Sequence, residues 1–350
     1  MKKVCVAGGT GMLGAATARA LAGTGVAVVV TSLDPDDDVG RALTSQGHGI
    51  QLEVVDLADL HQVEALFSAH RFDGVVFTVQ THQAARTRDA SNRIYSILLN
   101  VLETARKTGA ERAVVGSSMA VYGGLNPPYD ENVTFPPIID APPGQDHGIL
   151  LESEVMTKRI VELIALDYAH PFKMGLSVPA GTVKPEPHEL EVVVLRAPMM
   201  FGPGYRALGS PLGLAAHVAA GRLDGFRGCE AYGGVPIEKA WPALAGVPTN
   251  YVKDNAACIA LAMTAASVPH RVYNVSSGFT TSPRAQLEAL LRAAPECAER
   301  MGITPNELPC DAPDVGFNGA RFAADFGWTS PFSLESALVD YIAWLGEHPY

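Results

Sequence analysis

Short apolar runs alternate with longer amphipathic segments through the first half of the chain. The short runs are rich in β-branched residues and apolar on both faces, which predicts strands that are buried on both sides of a sheet. Such strands, when joined by helices, form a parallel sheet with right-handed crossovers, so we expect a doubly wound α/β fold. The predicted strands are residues 4–7, 27–31, 51–55, 74–79, 112–116 and 191–195, and the predicted helices are residues 12–22, 60–70, 91–108 and 151–169.

The second half of the chain has a less regular pattern. From residue 202 onward Gly and Pro separate amphipathic segments at 212–220, 255–266, 284–294 and 334–345. A chain of 350 residues is long for a single domain. We therefore expect a first domain over residues 1–200, which also receives segments near 250–278, and a smaller C-terminal α/β domain mainly over 201–350.

Composition and charge narrow the class of protein. Apolar residues make up 47% of the chain and charged residues 18%, which favours a globular fold over disorder. The net charge of −11, without a Lys/Arg run, disfavours a nucleic-acid partner. The sequence has no apolar stretch near the ~20 residues that a membrane span needs. The five cysteines have neither metal-ligand nor redox-motif spacing, so we expect a reducing cytoplasm and no metal site.

A glycine-rich turn, GGTGMLG at residues 8–14, follows the first predicted strand and opens the first predicted helix. Glycines at this spacing let the chain turn tightly and approach a pyrophosphate, and the helix N-terminus attracts the anion. The strand-turn-helix context is the one that a dinucleotide site requires, although an ordinary strand-to-helix turn is the alternative. The predicted coenzyme contacts in this turn are Gly8, Thr10, Gly11, Met12, Leu13 and Gly14.

The glycine spacing resembles that of the short-chain dehydrogenase/reductase superfamily, which has a Rossmann-like fold. Further motifs, in the right order along the chain, resemble its extended branch, the NAD-dependent epimerase/dehydratase family. These motifs are SSMAVYG at 117–123, Lys158 with Glu162, LRAP at 195–198, FGPG at 201–204, YVKDNA at 251–256, VYNV at 272–275 and FGW at 326–328. The resemblance implies a nicotinamide coenzyme, a small-molecule substrate and a smaller domain that binds it.

The resemblance also implies a homodimer built on a four-helix bundle. Helices 91–108 and 151–169 would supply it, since each carries an apolar stripe. The alternative is that both stripes pack on their own sheet. The stripes are Ile94, Ile97, Leu98, Val101 and Leu102 on the first helix, and Val155, Ile160, Leu163 and Ile164 on the second.

The choice of coenzyme depends in this family on an acidic residue after the second strand, which favours NAD. The aligned position is Ser32, and Asp34 lies two residues later. Aspartates at 34, 36, 37 and 38, with no arginine before Arg41, would repel the extra phosphate of NADP, so we expect NAD and leave NADP open. Asp56 and Leu57 resemble the adenine-side contact, although Asp56 also suits a helix cap.

The resemblance implies a catalytic serine, tyrosine and lysine, and the sequence has Ser118 and Lys158 at two of these positions. The tyrosine expected four residues before Lys158 is replaced by Glu154. Desolvation beside the coenzyme would favour a protonated Glu154 and make it the acid/base. Alternatively, Glu154 pairs with Lys158 on the helix surface while another group or a water moves the proton. A third interpretation is a dinucleotide-binding sensor or scaffold without turnover.

Other positions bear on the substrate. Sugar 4,6-dehydratases of the family have Asp-Glu where this chain has Met119 and Ala120, which disfavours dehydration. Nucleotide-sugar enzymes carry Asn where this chain has Met199. The candidate substrate contacts are Ser118, Met119, Tyr122 and Met199. The predicted function is NAD(P)-dependent oxidation, reduction or epimerisation at a secondary alcohol or ketone of a small polar metabolite, such as a sugar derivative, with an atypical ketoreductase of a less polar substrate as the alternative.

Overall fold

The computed structural model describes residues 1–45, 47, 49–80, 87–133, 152–169, 190–204, 210–227, 229–231 and 235–348. The strands are β1 (Lys3–Ala7), β2 (Ala27–Ser32), β3 (Ile50–Val54), β4 (Gly74–Phe77), β5 (Arg112–Ser118), β6 (Glu191–Ala197), β7 (Met199–Phe201), β8 (Glu230–Ala231), β9 (Val235–Pro236), β10 (Thr249–Tyr251) and β11 (Val272–Asn274). The helices are α1 (Met12–Gly23), α2 (Asp38–Ser45), α3 (Leu60–His70), α4 (Arg88–Thr108), α5 (Glu152–Tyr168), α6 (Pro211–Ala219), α7 (Ile237–Ala243), α8 (Val252–Thr264), α9 (Pro283–Ala293), α10 (Ala298–Met301), α11 (Ala320–Phe326) and α12 (Leu334–Glu347).

Seven strands form a central sheet in the order β11-β6-β5-β4-β1-β2-β3. Strand β1 pairs in parallel with β2 on one side and with β4 on the other. The predicted doubly wound α/β fold of Rossmann type is confirmed. Because the strand order reverses between β1 and β4, the crevice beyond their carboxyl ends is the place where such sheets bind ligands.

The described part of the chain divides into two compact units. Unit 1 comprises Met1–Gly123, Leu150–Arg196 and Ile259–Tyr273, and unit 2 comprises Gly124–Ile149, Ala197–Cys258 and Asn274–Tyr350. The chain passes from one unit to the other several times, and unit 1 includes the later segment Ile259–Tyr273. Within unit 2, β7 pairs in parallel with β10, and the rings of Phe201 and Tyr251 lie 5.3 Å apart. Among the described helices, none combines the length and apolar character needed to cross a membrane.

Two local features near the site lie outside the predicted elements. Helix α2 begins at Asp38, in a stretch where no helix is predicted. Strand β5 continues two residues further than predicted and ends at Ser118. The hydroxyl of Ser118 accepts a hydrogen bond from the N–H of Ala120 and begins a 3-10 turn over Met119–Tyr122. The end of β5 is thus fixed by local hydrogen bonding.

The apolar stripe of α4 is buried within its own chain. Its members belong to the core cluster that also contains strand residues of β1, β4 and β5. This stripe therefore packs in the chain's own core and is not available to a partner. For α4 this is the arrangement of the alternative interpretation, in which the stripe packs on its own sheet. Its members are Ile94, Ile97, Leu98, Val101 and Leu102.

We expect Arg112 to be an important stabilising residue of unit 1. Its buried guanidinium donates to the carbonyls of Ala262, Met263 and Ala265 and to Glu191. Arg112→Met leaves these acceptors without their donor, so the free energy of unfolding should fall by about 2–4 kcal/mol in urea denaturation. The matched control is Arg271→Met, because Arg271 also pairs with Glu191 but is more exposed, and it should cost less than about 1 kcal/mol. Equal losses for the two variants would contradict this role of Arg112.

Candidate active site

The glycine turn closes on itself through its own backbone. The N–H of Gly11 donates to the carbonyl of Gly8 at 3.1 Å. Gly8 has a positive φ of 76°, and a Cβ at Gly14 would lie 2.1 Å from the Gly8 carbonyl oxygen. Residues with side chains are therefore excluded from both positions. The motif requires that the helix approach the turn closely, and the structure shows this approach.

The first turn of α1 is open to an anion. Gly11 is exposed at the N-cap, provides no side-chain cap, and has no acidic residue after it in the first turn. The leading N–H groups of Met12 and Leu13 therefore lack a side-chain acceptor, and the helix dipole adds positive potential there. Next to the turn, Thr78 at the end of β4 donates to the carbonyl of Ala7 at 2.9 Å. The turn thus lies at the strand-order reversal and fits the diphosphate of a dinucleotide.

Asp37 is an acidic group in contact with the glycine turn. Its carboxylate accepts hydrogen bonds from the hydroxyls of Thr10 and Ser32 and from the N–H of Gly40. Burial opposes ionisation of Asp37, but these hydrogen bonds outweigh it and lower its pKa. A fixed negative charge therefore lies between the glycine turn and the end of β2. The sequence analysis did not single out Asp37, and the start of α2 at Asp38 is what places it.

The other predicted adenosine contacts have defined surroundings, although their roles stay predictions. Asp34 is exposed, and its carboxylate accepts from the N–H of Asp36. Asp56 accepts from Arg93 at 2.7 Å, and chiefly this hydrogen bond lowers its pKa. Leu57 is buried, and its carbonyl accepts from the side chain of Asn100. The turn after β3 is therefore held by two side chains of α4.

Lys158 is buried on α5, which packs against β5. It is 8% exposed, and no hydrogen bond or ion pair within 4.0 Å joins its ammonium to the described residues. Burial lowers the pKa of Lys158, while the charges of Glu154 and Glu162 raise it, and the net shift is downward. An unpartnered buried ammonium is a costly arrangement that a ligand hydroxyl or carboxylate would relieve. Lys158 therefore fits a ribose that lies beside β5.

Glu154 is half-buried one turn before Lys158. Its charge acts on Lys158, but the two do not form a close ion pair. The interpretation of Glu154 as a surface partner of Lys158 therefore lacks the expected contact, since Lys158 is not at the surface. The catalytic role of Glu154 stays a prediction.

The sequence analysis missed a buried network behind these residues. Arg196 on β6 binds both carboxylate oxygens of Glu162, with Nε–Oε1 and Nη2–Oε2 distances of 2.9 and 2.7 Å. Ser117 donates to Glu162 at 2.5 Å, and Arg196 donates to the hydroxyl of Tyr122 at 2.8 Å. These residues are adjacent to Ser118 and one turn from Lys158. The matches of Arg196 and Glu162 to family motifs were the signal that could have found them.

Tyr122 and Tyr129, the phenols closest to Ser118 in the sequence, have other contacts. Tyr122 is fully buried, and its hydroxyl receives the Arg196 hydrogen bond within the network. Tyr129 belongs to unit 2, its hydroxyl donates to the carbonyl of Leu125, and burial raises its pKa. A raised pKa disfavours the phenolate that a proton acceptor needs. Neither phenol is therefore a good replacement for the missing tyrosine.

The remaining predicted residues have these positions. Met119 is buried in the 3-10 turn after Ser118. Met199 lies on β7 in unit 2 and lines a small cavity there. His217 is hydrogen-bonded to Tyr341, and His147 and His188 lie outside the described residues. Within the described ranges, no group of three His, Cys, Asp or Glu side chains is placed to hold a metal ion.

Fold and site together define a dinucleotide-binding α/β protein with a glycine turn at the strand-order reversal. Residues 4–276 match the model of the NAD dependent epimerase/dehydratase family. The chain belongs to this family, and it is an NAD-dependent enzyme of the extended short-chain dehydrogenase/reductase type with NAD as its cofactor. The predicted family and coenzyme are confirmed. No curated protein matches the chain.

Solved structures with the same fold span nearly the whole chain. A UDP-glucose-4-epimerase from Stenotrophomonas maltophila, solved with NAD and formylated UDP-arabinopyranose, is 17% identical, with a TM-score of 0.67 and coverage of 98% of both chains. A dTDP-glucose 4,6-dehydratase from Bacillus anthracis with NAD is 15% identical, with a TM-score of 0.68 and coverage of 99% of this chain and 97% of its own. A partial consensus L-threonine 3-dehydrogenase is 19% identical, with a TM-score of 0.68 and coverage of 99% and 100%. At these identities the likeness establishes the fold.

We expect the charge of Asp37 to disfavour NADP. Asp37→Asn keeps a hydrogen-bond acceptor beside Thr10 and Ser32 but removes the negative charge. The affinity for NADPH relative to NADH should therefore rise by roughly fivefold to tenfold, measured by fluorescence titration at low salt. The control is Asp34→Asn, which removes the same charge from an exposed position and should change the ratio less. An unchanged ratio in Asp37→Asn, or an equal change in the control, would rule out this role.

Proposed function

We propose that this enzyme moves a hydride between NAD and a carbon that carries a secondary alcohol or ketone in a small polar metabolite, such as a sugar derivative, with Glu154 in place of the family's catalytic tyrosine. The observation that supports the proposal is the unpartnered ammonium of Lys158, which is buried one helical turn after Glu154. A buried cation beside a carboxyl group forms an acid/base unit next to the expected nicotinamide position.

Each residue has a distinct task in this proposal. NAD, when bound, supplies the hydride acceptor or donor. The hydroxyl of Ser118 donates to the substrate oxygen, since Ala120 uses only its acceptor side. Glu154 accepts the alcohol proton during oxidation and returns a proton to the carbonyl oxygen during reduction. Lys158 donates to the nicotinamide ribose.

A second candidate function is reduction of a less polar ketone, which the surroundings of Met199 favour. Met199 lines a cavity of about 10 Å³ in unit 2, which has room for about one water molecule and not for a substrate. The side chains around it are mainly apolar, namely Pro211, Leu212, Trp241, Leu244 and Val247, with Ser210, Thr249 and Gln286. Binding of a diphosphate typically uses a free guanidinium. In the described part of unit 2 the arginines already donate to protein acceptors: these are Arg222, Arg227, Arg284, Arg292, Arg300 and Arg321.

The proposal includes a cytoplasmic homodimer that uses α5. Leu163 is 63% exposed, and Met156 on the same helix and Leu99 on the adjacent α4 are also exposed. Together they form an apolar surface that a second copy would cover, in keeping with the resemblance. All five cysteines are free thiols, which suits a reducing compartment.

The acid/base role is tested with Glu154→Gln. The amide keeps the shape of Glu154 but does not exchange a proton near neutral pH, so kcat should fall by about 10²–10⁴-fold. Turnover is followed as NADH absorbance with a substrate identified from a panel of nucleotide sugars, polyols and ketones. Because the charge of Glu154 raises the pKa of Lys158, the variant should also lose NAD affinity at a lower pH than the wild type.

The control for this test is Asp167→Asn, which removes an exposed carboxylate from the same helix and should leave both properties unchanged. Unchanged turnover in Glu154→Gln would remove the acid/base role and favour a solvent proton. Tight NAD binding without hydride exchange across the whole panel would favour a sensor or scaffold.

The dimer is tested with Leu163→Glu. A charge on the proposed apolar interface should shift the wild-type dimer to a monomer in sedimentation at micromolar concentration. Val339→Glu replaces an exposed apolar residue on α12 and should leave the dimer intact. A monomeric wild type, or a Leu163→Glu variant that still sediments as a dimer, would contradict this interface.

A further inference from the structure

The ion pair between Glu162 and Arg196 is the most deeply buried one in the described residues. Their side chains are 1% and 3% exposed, and three hydrogen bonds join them. Such a pair is weak evidence for stability, because desolvating both charges offsets much of their attraction. Its place beside Ser118 and Lys158 suggests a role in the site.

Lys158 lies between two carboxylates on α5. Glu154 is four residues before it and Glu162 four residues after it, so all three share one face of the helix. Both charges act on Lys158, yet neither forms a close ion pair with it. In a buried setting with weak screening, the absence of a Lys158–Glu162 pair needs a cause.

The cause is that the oxygens of Glu162 are already occupied. Arg196 binds both of them, and Ser117 donates to Oε1. Arg196 is held in turn by the Tyr122 hydroxyl, and its guanidinium lies 5.0 Å from the Tyr122 ring centre. Arg159 also lies near Glu162, but its guanidinium donates to the carbonyls of Val121 and Gly123.

We propose that Arg196 is a positioning residue that occupies Glu162 and thereby keeps the ammonium of Lys158 free to bind the ribose of NAD. This inference rests on the proposed role of Lys158. Without Arg196, Glu162 would be a buried carboxylate one helical turn from Lys158, and the two would pair. That pairing would withdraw the Lys158 donors from the coenzyme.

The proposal predicts that, in a double-mutant cycle, the second substitution restores the NAD affinity that the first one lowers. Arg196→Met should weaken NAD binding by about tenfold, the loss of one charged hydrogen bond. Removing the competing charge as well, in Glu162→Gln with Arg196→Met, should return the affinity to within about threefold of the wild type. A purely structural role predicts that NAD affinity follows stability in these variants, because removing one partner of a buried pair leaves an unpaired charge and removing both relieves it. The positioning role predicts in addition that Arg196→Met no longer weakens NAD binding in a Lys158→Met background.

The measurement is NAD affinity by isothermal titration calorimetry on coenzyme-free full-length protein, with thermal unfolding as the check on folding. Arg196→Gln, which removes the positive charge but keeps one donor for Glu162, takes the place of Arg196→Met where that variant does not fold, and it should weaken NAD binding in the same direction by less. The control is Arg106→Met, which breaks a different Arg–Glu pair in unit 1 and should leave NAD affinity unchanged.

Lys158→Met tests the role of Lys158 separately from the role of Arg196. It should weaken NAD binding about as much as Arg196→Met. Wild-type affinity in Lys158→Met would overturn the proposed role of Lys158. Weakened binding in Lys158→Met, with a folded double variant no better than Arg196→Met, would overturn the inference about Arg196 and leave Lys158 in place.

Discussion

The ammonium of Lys158 is buried and has no hydrogen-bond partner among the described residues. Unit 1 is arranged around this constraint. The core of a protein disfavours such a charge strongly, and the lowered pKa of Lys158 reflects that cost. Two carboxylates on the same helix face act on Lys158 and raise its pKa, while Arg196 occupies one of them, Glu162. The ammonium is thus stabilised by electrostatics without being captured by one partner. A coenzyme ribose would complete its coordination.

The sheet determines where that ammonium can act. The reversal of strand order between β1 and β4 creates the crevice. The backbone of the glycine turn lines this crevice, and the first turn of α1 is exposed there. A Cβ at Gly116 on β5 would lie 3.8 Å from the Leu13 side chain, so the turn reaches the strand that carries Ser118. The glycine turn and the Ser118 hydroxyl are therefore positioned by the same sheet edge. The two are held in a fixed relation within unit 1.

The sequence predicts those parts of the site whose signal is local. The glycine turn is recognisable because a strand, a turn and a helix follow one another within a few residues, and Ser118 and Lys158 are recognisable through the resemblance. Asp37 is different, because its approach to Thr10 depends on where α2 begins. The network around Glu162 joins residues from three elements that are distant in the chain. No spacing rule relates them.

Helical periodicity also does not show whether an apolar side chain packs in the chain's own core or stays exposed on the surface. On α4, Leu98 is fully buried and Leu99 is exposed, although the two are adjacent and chemically identical. The hydrophobic pattern predicts that both leucine side chains prefer to leave water. Only the packing shows that Leu98 is on the face that the chain's own core buries. Ile97 and Val101 belong to that same buried face.

The replacement of a tyrosine by Glu154 changes what Lys158 has to do. A phenol near neutral pH is protonated, so a neighbouring cation is needed to make its anion accessible. A carboxyl group is already an anion in water, so it needs the reverse, an environment in which its protonated form is populated. Glu154 is half-buried, and a bound substrate would exclude further water from it. In the proposed mechanism Lys158 therefore serves the coenzyme, and the proton is exchanged between Glu154 and the substrate oxygen.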